Sequence, residues 1–106
     1  MDKMDERFEI ILYAGNSQSA SLMALESARE KDFNNAEEQL SIARNELHKA
    51  HQVQTNLLQA FAGGEKKEID VLMVHAQDHL TMASILRTIS EEFTNIYKEL
   101  NELKER

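Results

Sequence analysis

Residues 71–104 read VLMVHAQDHLTMASILRTISEEFTNIYKELNELK, with neither proline nor glycine in the run. Stepping alternately three and four positions selects Leu72, His75, His79, Met82, Leu86, Ile89, Phe93, Ile96, Leu100 and Leu103. Side chains at that spacing share one face of an α-helix. Every member is apolar except the two histidines. A helix over 71–104 is predicted, long by globular standards.

The same step through residues 33–62 gives Phe33, Ala36, Leu40, Ala43, Leu47, Ala50, Gln54, Leu57 and Phe61, where Gln54 is the polar exception. The first segment is looser, with Met4, Phe8, Ile11, Gly15, Gln18, Leu22 and Leu25. Two breaks separate the three runs. At Glu30-Lys31-Asp32, Asp32 can cap a helix that begins at Phe33 and carries the acidic pair Glu37 and Glu38. At Ala62-Gly63-Gly64-Glu65-Lys66-Lys67-Glu68-Ile69-Asp70, the glycines can end one helix and Asp70 can cap the next. Helices of about 5–30, 33–62 and 71–104 are therefore expected within a single domain spanning 1–106. Sustained patterning with short connections predicts an all-α fold, an antiparallel three-helix bundle.

Two helices carry more than one seam. Val71, Val74, Asp78, Thr81 and Ile85 lie beside the seam of the third segment, and Ala14, Ser17, Ser21, Ala24 and Ala28 form a stripe of small residues in the first. A three-helix bundle needs about one wide face per helix. The extra stripes imply further helices packing from outside, and hence self-association, without fixing the number of copies.

Composition narrows the function. The 106 residues carry a formal net charge of −7, which disfavours nucleic acid or an anionic membrane as the main partner. With no cysteine, disulfides, thiolate metal sites and cysteine nucleophiles are excluded. No apolar run approaches the roughly 18 residues of a membrane span, and Met1-Asp2-Lys3-Met4-Asp5 lacks signal-peptide form. A cytoplasmic protein is expected.

The chemistry concentrates where the seam turns polar. At about 100° per residue, Asp78 lies about 60° to one side of His75 and His79 about 40° to the other. Antiparallel pairing across Gly63-Gly64 brings Gln54 near the level of His79, with His51 one turn beyond. His75, Asp78, His79, Gln54 and His51 can thus share a polar layer. A single seam histidine is most simply a satisfied core residue, and a polar layer can also set register. This many polar groups exceeds what register needs, and a buried unpaired carboxylate costs several kcal/mol, so Asp78 is expected to find a partner, a proton or a metal. Three readings fit. His and Asp at helical spacing can ligate a metal, although Ala76 stands where the general-base Glu of H-E-x-x-H belongs. A neutral imidazole can accept a phosphoryl group. A passive adaptor or metal-binding bundle can use the second stripe to hold a partner helix.

The sequence resembles the enzyme IIA component of the lactose/cellobiose (and chitobiose) branch of the bacterial sugar phosphotransferase system, nearly end to end. The likeness rests on Ala14-Gly15-Asn16, on Asp32-Phe33 with Ala36, on Ala50-His51-Gln52-Val53-Gln54-Thr55, and above all on Val74-His75-Ala76-Gln77-Asp78-His79-Leu80. Thr81 departs from the pattern, where many relatives carry Met. The resemblance implies a homotrimer of three-helix protomers. It implies that His75 carries the phosphoryl group on Nε2, loaded by phospho-HPr and discharged to a cysteine of the enzyme IIB component. The membrane is then involved only indirectly, through the enzyme IIC permease. Asp78 matches the position on the three-fold axis where one carboxylate per subunit meets a divalent cation, Mg²⁺ above all. His79 matches the second histidine beside the carrier, and Gln77 and Gln54 fall in its neighbourhood. The system's sugar is expected to be a β-linked disaccharide, cellobiose-type ahead of lactose. No nucleotide site is expected, because Gly63-Gly64 lacks the lysine and the strand of a phosphate loop.

Overall fold

Three aspartates begin three helices. In the computed structural model, which describes residues 4–66 and 69–105, Asp5 precedes α1 (Glu6–Arg29), Asp32 precedes α2 (Phe33–Ala62) and Asp70 precedes α3 (Val71–Lys104). Each carboxylate accepts a first-turn backbone N–H, from Arg7, Asn35 and Met73 respectively. Each therefore satisfies one donor that has no partner inside its helix. Met1-Asp2-Lys3 and the Lys67-Glu68 part of the second break lie outside the described residues. No strand occurs among those described.

Side-chain pairs set the directions. Arg7 bonds to Asp70 and Gln18 to His79, so α1 and α3 advance together. Gln54–Gln77, Arg44–Glu91 and Glu37–Lys98 step in opposite senses along α2 and α3, which makes that pair antiparallel. The bundle is a rod of about 61 × 27 × 21 Å. Helix α1 packs extensively on both others, whereas α2 and α3 touch far less.

That arrangement revises two readings of the sequence. In α1 the inward residues are Ile10, Ala14, Ser17, Ala20, Ser21, Ala24 and Ala28, so the small-residue stripe faces its own bundle. The looser seam is only partly covered, with Ile11 against the core but Phe8 and Leu22 about half exposed. A helix wedged between two others needs small side chains on its packed sides, because interaxial distance follows contact-residue size. Ser17 adds a buried hydrogen bond, its hydroxyl donating to the Ala43 carbonyl at 2.8 Å.

The second revision concerns α3. Its buried line is Ala76, Leu80, Ala83, Ser90 and Thr94, not the large apolar seam. Met82, Ile89, Phe93, Ile96, Leu100 and Leu103 are all exposed in the protomer, as are Val71, Val74 and Ile85 of the flanking stripe. The seam exists but is rotated away from the core. In α2 the expected face is the buried one, through Ala36, Leu40, Ala43, Leu47, Ala50 and Leu57.

Candidate functional site

The site grows from the first turns of α3, whose start is held twice. Asp70 accepts from Met73 N–H at 3.0 Å and from the Arg7 guanidinium at 2.7 Å. The backbone N–H first, and Arg7 second, hold the Asp70 carboxyl below its usual range. Arg7 also bonds to Asp5, the cap of α1, at 2.6 Å. One cation thus ties the starts of the two parallel helices together and fixes where the next turns of α3 begin.

One turn on, His75 and His79 lie four residues apart on the same face. Their Nε2 atoms are 3.1 Å apart, and the rings meet edge to face with centroids 4.5 Å apart. His75 is exposed and His79 half-buried. On the far side of His79, the Gln18 side-chain amide lies 3.4 Å from Nδ1 and donates to the His79 carbonyl at 3.2 Å. Gln77 points the other way, accepting from the Gln54 amide.

The expected polar layer is therefore divided. Gln18, His79 and His75 form one chain of contacts, and Gln54 with Gln77 forms another. His51 is exposed, and no described hydrogen bond joins it to either group. Gln54 reaches the expected level, within about half a turn of His79, but bonds there to Gln77 and not to the histidines. Asp78 is exposed in the protomer, with no described hydrogen bond or ion pair. In the protomer an exposed carboxylate keeps its water, so the burial penalty that called for a partner, a proton or a metal does not arise there. Asp78, Gln54 and Gln77 share a groove of about 430 Å³ with Leu57, Leu58, Phe61, Ile69, Met73 and Val74.

Chemically, the arrangement offers an accessible imidazole with a second imidazole against its Nε2. Among the described residues, no group of three His, Cys, Asp or Glu converges on a metal position within one protomer. Residues 5–98 match the family of lactose/cellobiose-specific IIA subunits of the phosphotransferase system. The chain belongs to this family.

This IIA chain is 43% identical over 95 residues to the lichenan-specific phosphotransferase enzyme IIA component of Bacillus subtilis (strain 168), covering 90% of this chain and 86% of that one. It superimposes on the crystal structure of the cellobiose-specific enzyme IIA of Bacillus anthracis with a TM-score of 0.90 at 38% identity, covering 94% and 95% of the two chains. It also matches a chain in the solution structure of the Escherichia coli IIA(chitobiose)–HPr complex, with a TM-score of 0.78 and 30% identity over 91% and 93%. No described helix of this IIA protein is long and apolar enough to cross a membrane.

Gln18 is the site neighbour that sequence reasoning missed. Its one signal was to be a polar break in the first segment's seam, as Gln54 is in the second. Placing it beside His79 requires knowing the level at which α1 meets α3, which the periodicity of a single helix does not contain.

Proposed function

We propose that the chain is a phosphocarrier that accepts a phosphoryl group from phospho-HPr on Nε2 of His75 and passes it to a cysteine of the enzyme IIB component. The carrying observation is the exposed His75 ring with Nε2 of His79 3.1 Å from its own. The lone pair of neutral His75 forms the phosphorus–nitrogen bond, while the bond from phosphorus to the donor breaks and its electron pair leaves with the donor. The Nδ1 proton then passes to solvent, leaving the phosphorylated ring neutral. Such transfer depends on alignment and charge stabilisation, so a small site on a rigid helix suffices when the partner brings the other face. The partner assignment draws support from the likeness to the IIA(chitobiose) chain complexed with HPr. The transported sugar is a β-linked disaccharide of cellobiose type rather than lactose, in keeping with the lichenan- and cellobiose-specific relatives.

Three copies assemble in this proposal, covering the exposed seam of α3. Support comes from the large side chains along Met82, Ile89, Phe93, Ile96 and Leu100, more apolar surface than one soluble helix ordinarily exposes. Asp78 of each subunit would hold a hard divalent cation such as Mg²⁺, which suits its open carboxylate; the described residues of a single protomer do not supply the donor set. When bound, the ion offsets the carboxylate charge close to a phosphoryl group of about −1.5 to −2.

The test is direct. Incubation with enzyme I, HPr and phosphoenolpyruvate should place an acid-labile phosphate on His75, and His75→Ala should abolish it in a chain of unchanged helicity. Labelling of His75→Ala at the wild-type level would discard the assignment.

A further inference from the structure

We infer that Gln18 is a positioning residue which sets the tautomer of His79, and through it keeps the Nε2 lone pair of His75 available for phosphorus; this rests on the phosphocarrier reading above. The starting point is the orientation of the Gln18 amide. Its terminal atom lies 3.2 Å from the His79 backbone carbonyl oxygen. A carbonyl only accepts, so that atom is the NH₂ group, because the reverse orientation would set two acceptors against each other. The same NH₂ lies 3.4 Å from Nδ1 of His79. An N–H on Nδ1 would set two donors against each other there, so the contact favours the lone pair on that nitrogen. A neutral imidazole has one N–H, so the His79 proton sits on Nε2.

The next contact follows from the first. Nε2 of His79 faces Nε2 of His75 at 3.1 Å, a distance that requires one N–H and one lone pair. With the proton on His79, the lone pair belongs to His75, whose own proton is then on Nδ1. That is the tautomer the transfer needs. As phosphorus bonds to Nε2 of His75, the His79 N–H loses this acceptor and is left beside the phosphoryl oxygens, where it can donate. Gln18 touches neither phosphorus nor His75, and acts only through His79. Its side chain is half-buried on α1, which packs parallel to α3 and is bridged to it by Arg7–Asp70.

Two substitutions separate this role from packing. Gln18→Glu presents an acceptor to Nδ1 and should move the His79 proton there, turning His75 to its Nε2–H form. Gln18→Met keeps the volume and removes the bias. With histidine ¹⁵N label, at a pH where both rings are neutral, two-bond proton–nitrogen spectra should show His79 as Nε2–H in wild type. They should show it as Nδ1–H in Gln18→Glu and as a mixture in Gln18→Met. Single-turnover phosphoryl transfer from phospho-HPr should slow by about tenfold or more in Gln18→Glu and less in Gln18→Met, with helicity and assembly unchanged. Wild-type His79 protonated on Nδ1, or a Gln18→Glu chain that keeps Nε2–H and labels at the wild-type rate, overturns the inference and leaves the carrier reading intact. A wild-type chain that takes no phosphate on His75 overturns the carrier reading instead, and the nitrogen spectra still decide the tautomer.

Discussion

Helices α2 and α3 carry equally regular apolar seams, and they use them in opposite ways. The α2 seam is closed inside the protomer from Ala36 to Leu57, where Leu40 is 1% exposed, and opens at Phe61. On α3 the seam lies open, and Phe93 is 47% exposed. The inner surface of α3 is built from Ala76, Leu80, Ala83, Ser90 and Thr94, matched by the small residues of α1. Periodicity thus reports that a face is apolar, while the size of the residues reports which neighbour it meets. In α1 and α3 the small side chains mark the close helix contacts within the protomer, and the large ones of α3 lie on its open face.

Substitutions on the two seams should break the comparison in different observables. Phe93→Asp sets a charge on the open face and should reduce the assembly to protomers in sedimentation, the largest effect expected of any single outer-face change. A wild-type chain that already sediments as a protomer would remove the basis of that contrast. Leu40→Ala opens a cavity in the closed face and should lower unfolding stability by about 2–5 kcal/mol, read from the denaturant midpoint at fixed protein concentration. Asp78→Leu sharpens the contrast from the polar end. An apolar residue there removes carboxylate repulsion, so the assembly should persist or tighten, and dissociation into protomers would refute the axial placement.

The fold was legible where a single helix determines the outcome. Asp32 and Asp70 act as caps through bonds to N–H groups three residues ahead, so their chemistry is local. The inner face of α2 was legible because its seam has only one side to bury. The inner faces of α1 and α3 were not, since an apolar stripe does not say whether it meets its own chain or another copy. The site divides the same way. His75, Asp78 and His79 lie in one short run, and helix geometry alone puts them together. Gln18 comes from another helix, and the level at which it meets α3 follows from how the two helices pack, which no periodic pattern foretells.

The two helix ends make a second, smaller contrast. At the end of α1, Lys31 N–H bonds to Ala28 O at 3.0 Å and Asp32 N–H to Ser27 O at 2.8 Å. At the end of α2, Gly64 N–H bonds to Phe61 O and Glu65 N–H to Ala60 O, both at 3.1 Å. These are the same pair of bonds, in which a residue just past the helix turns left-handed to satisfy the last carbonyls. Gly64 takes φ 94° without a Cβ to obstruct it, whereas Lys31 takes φ 68° with one. A side chain in that region costs roughly 1–2 kcal/mol, and the greater freedom of glycine in the unfolded chain returns part of it. Lys31→Gly should therefore stabilise the protein by roughly 1 kcal/mol, raising the melting temperature by about 4–8 °C. Phosphoryl uptake should stay unchanged, because the α1–α2 turn contributes nothing to the histidine pair. A lower melting temperature would mean that the Lys31 side chain makes a contact worth more than its backbone strain.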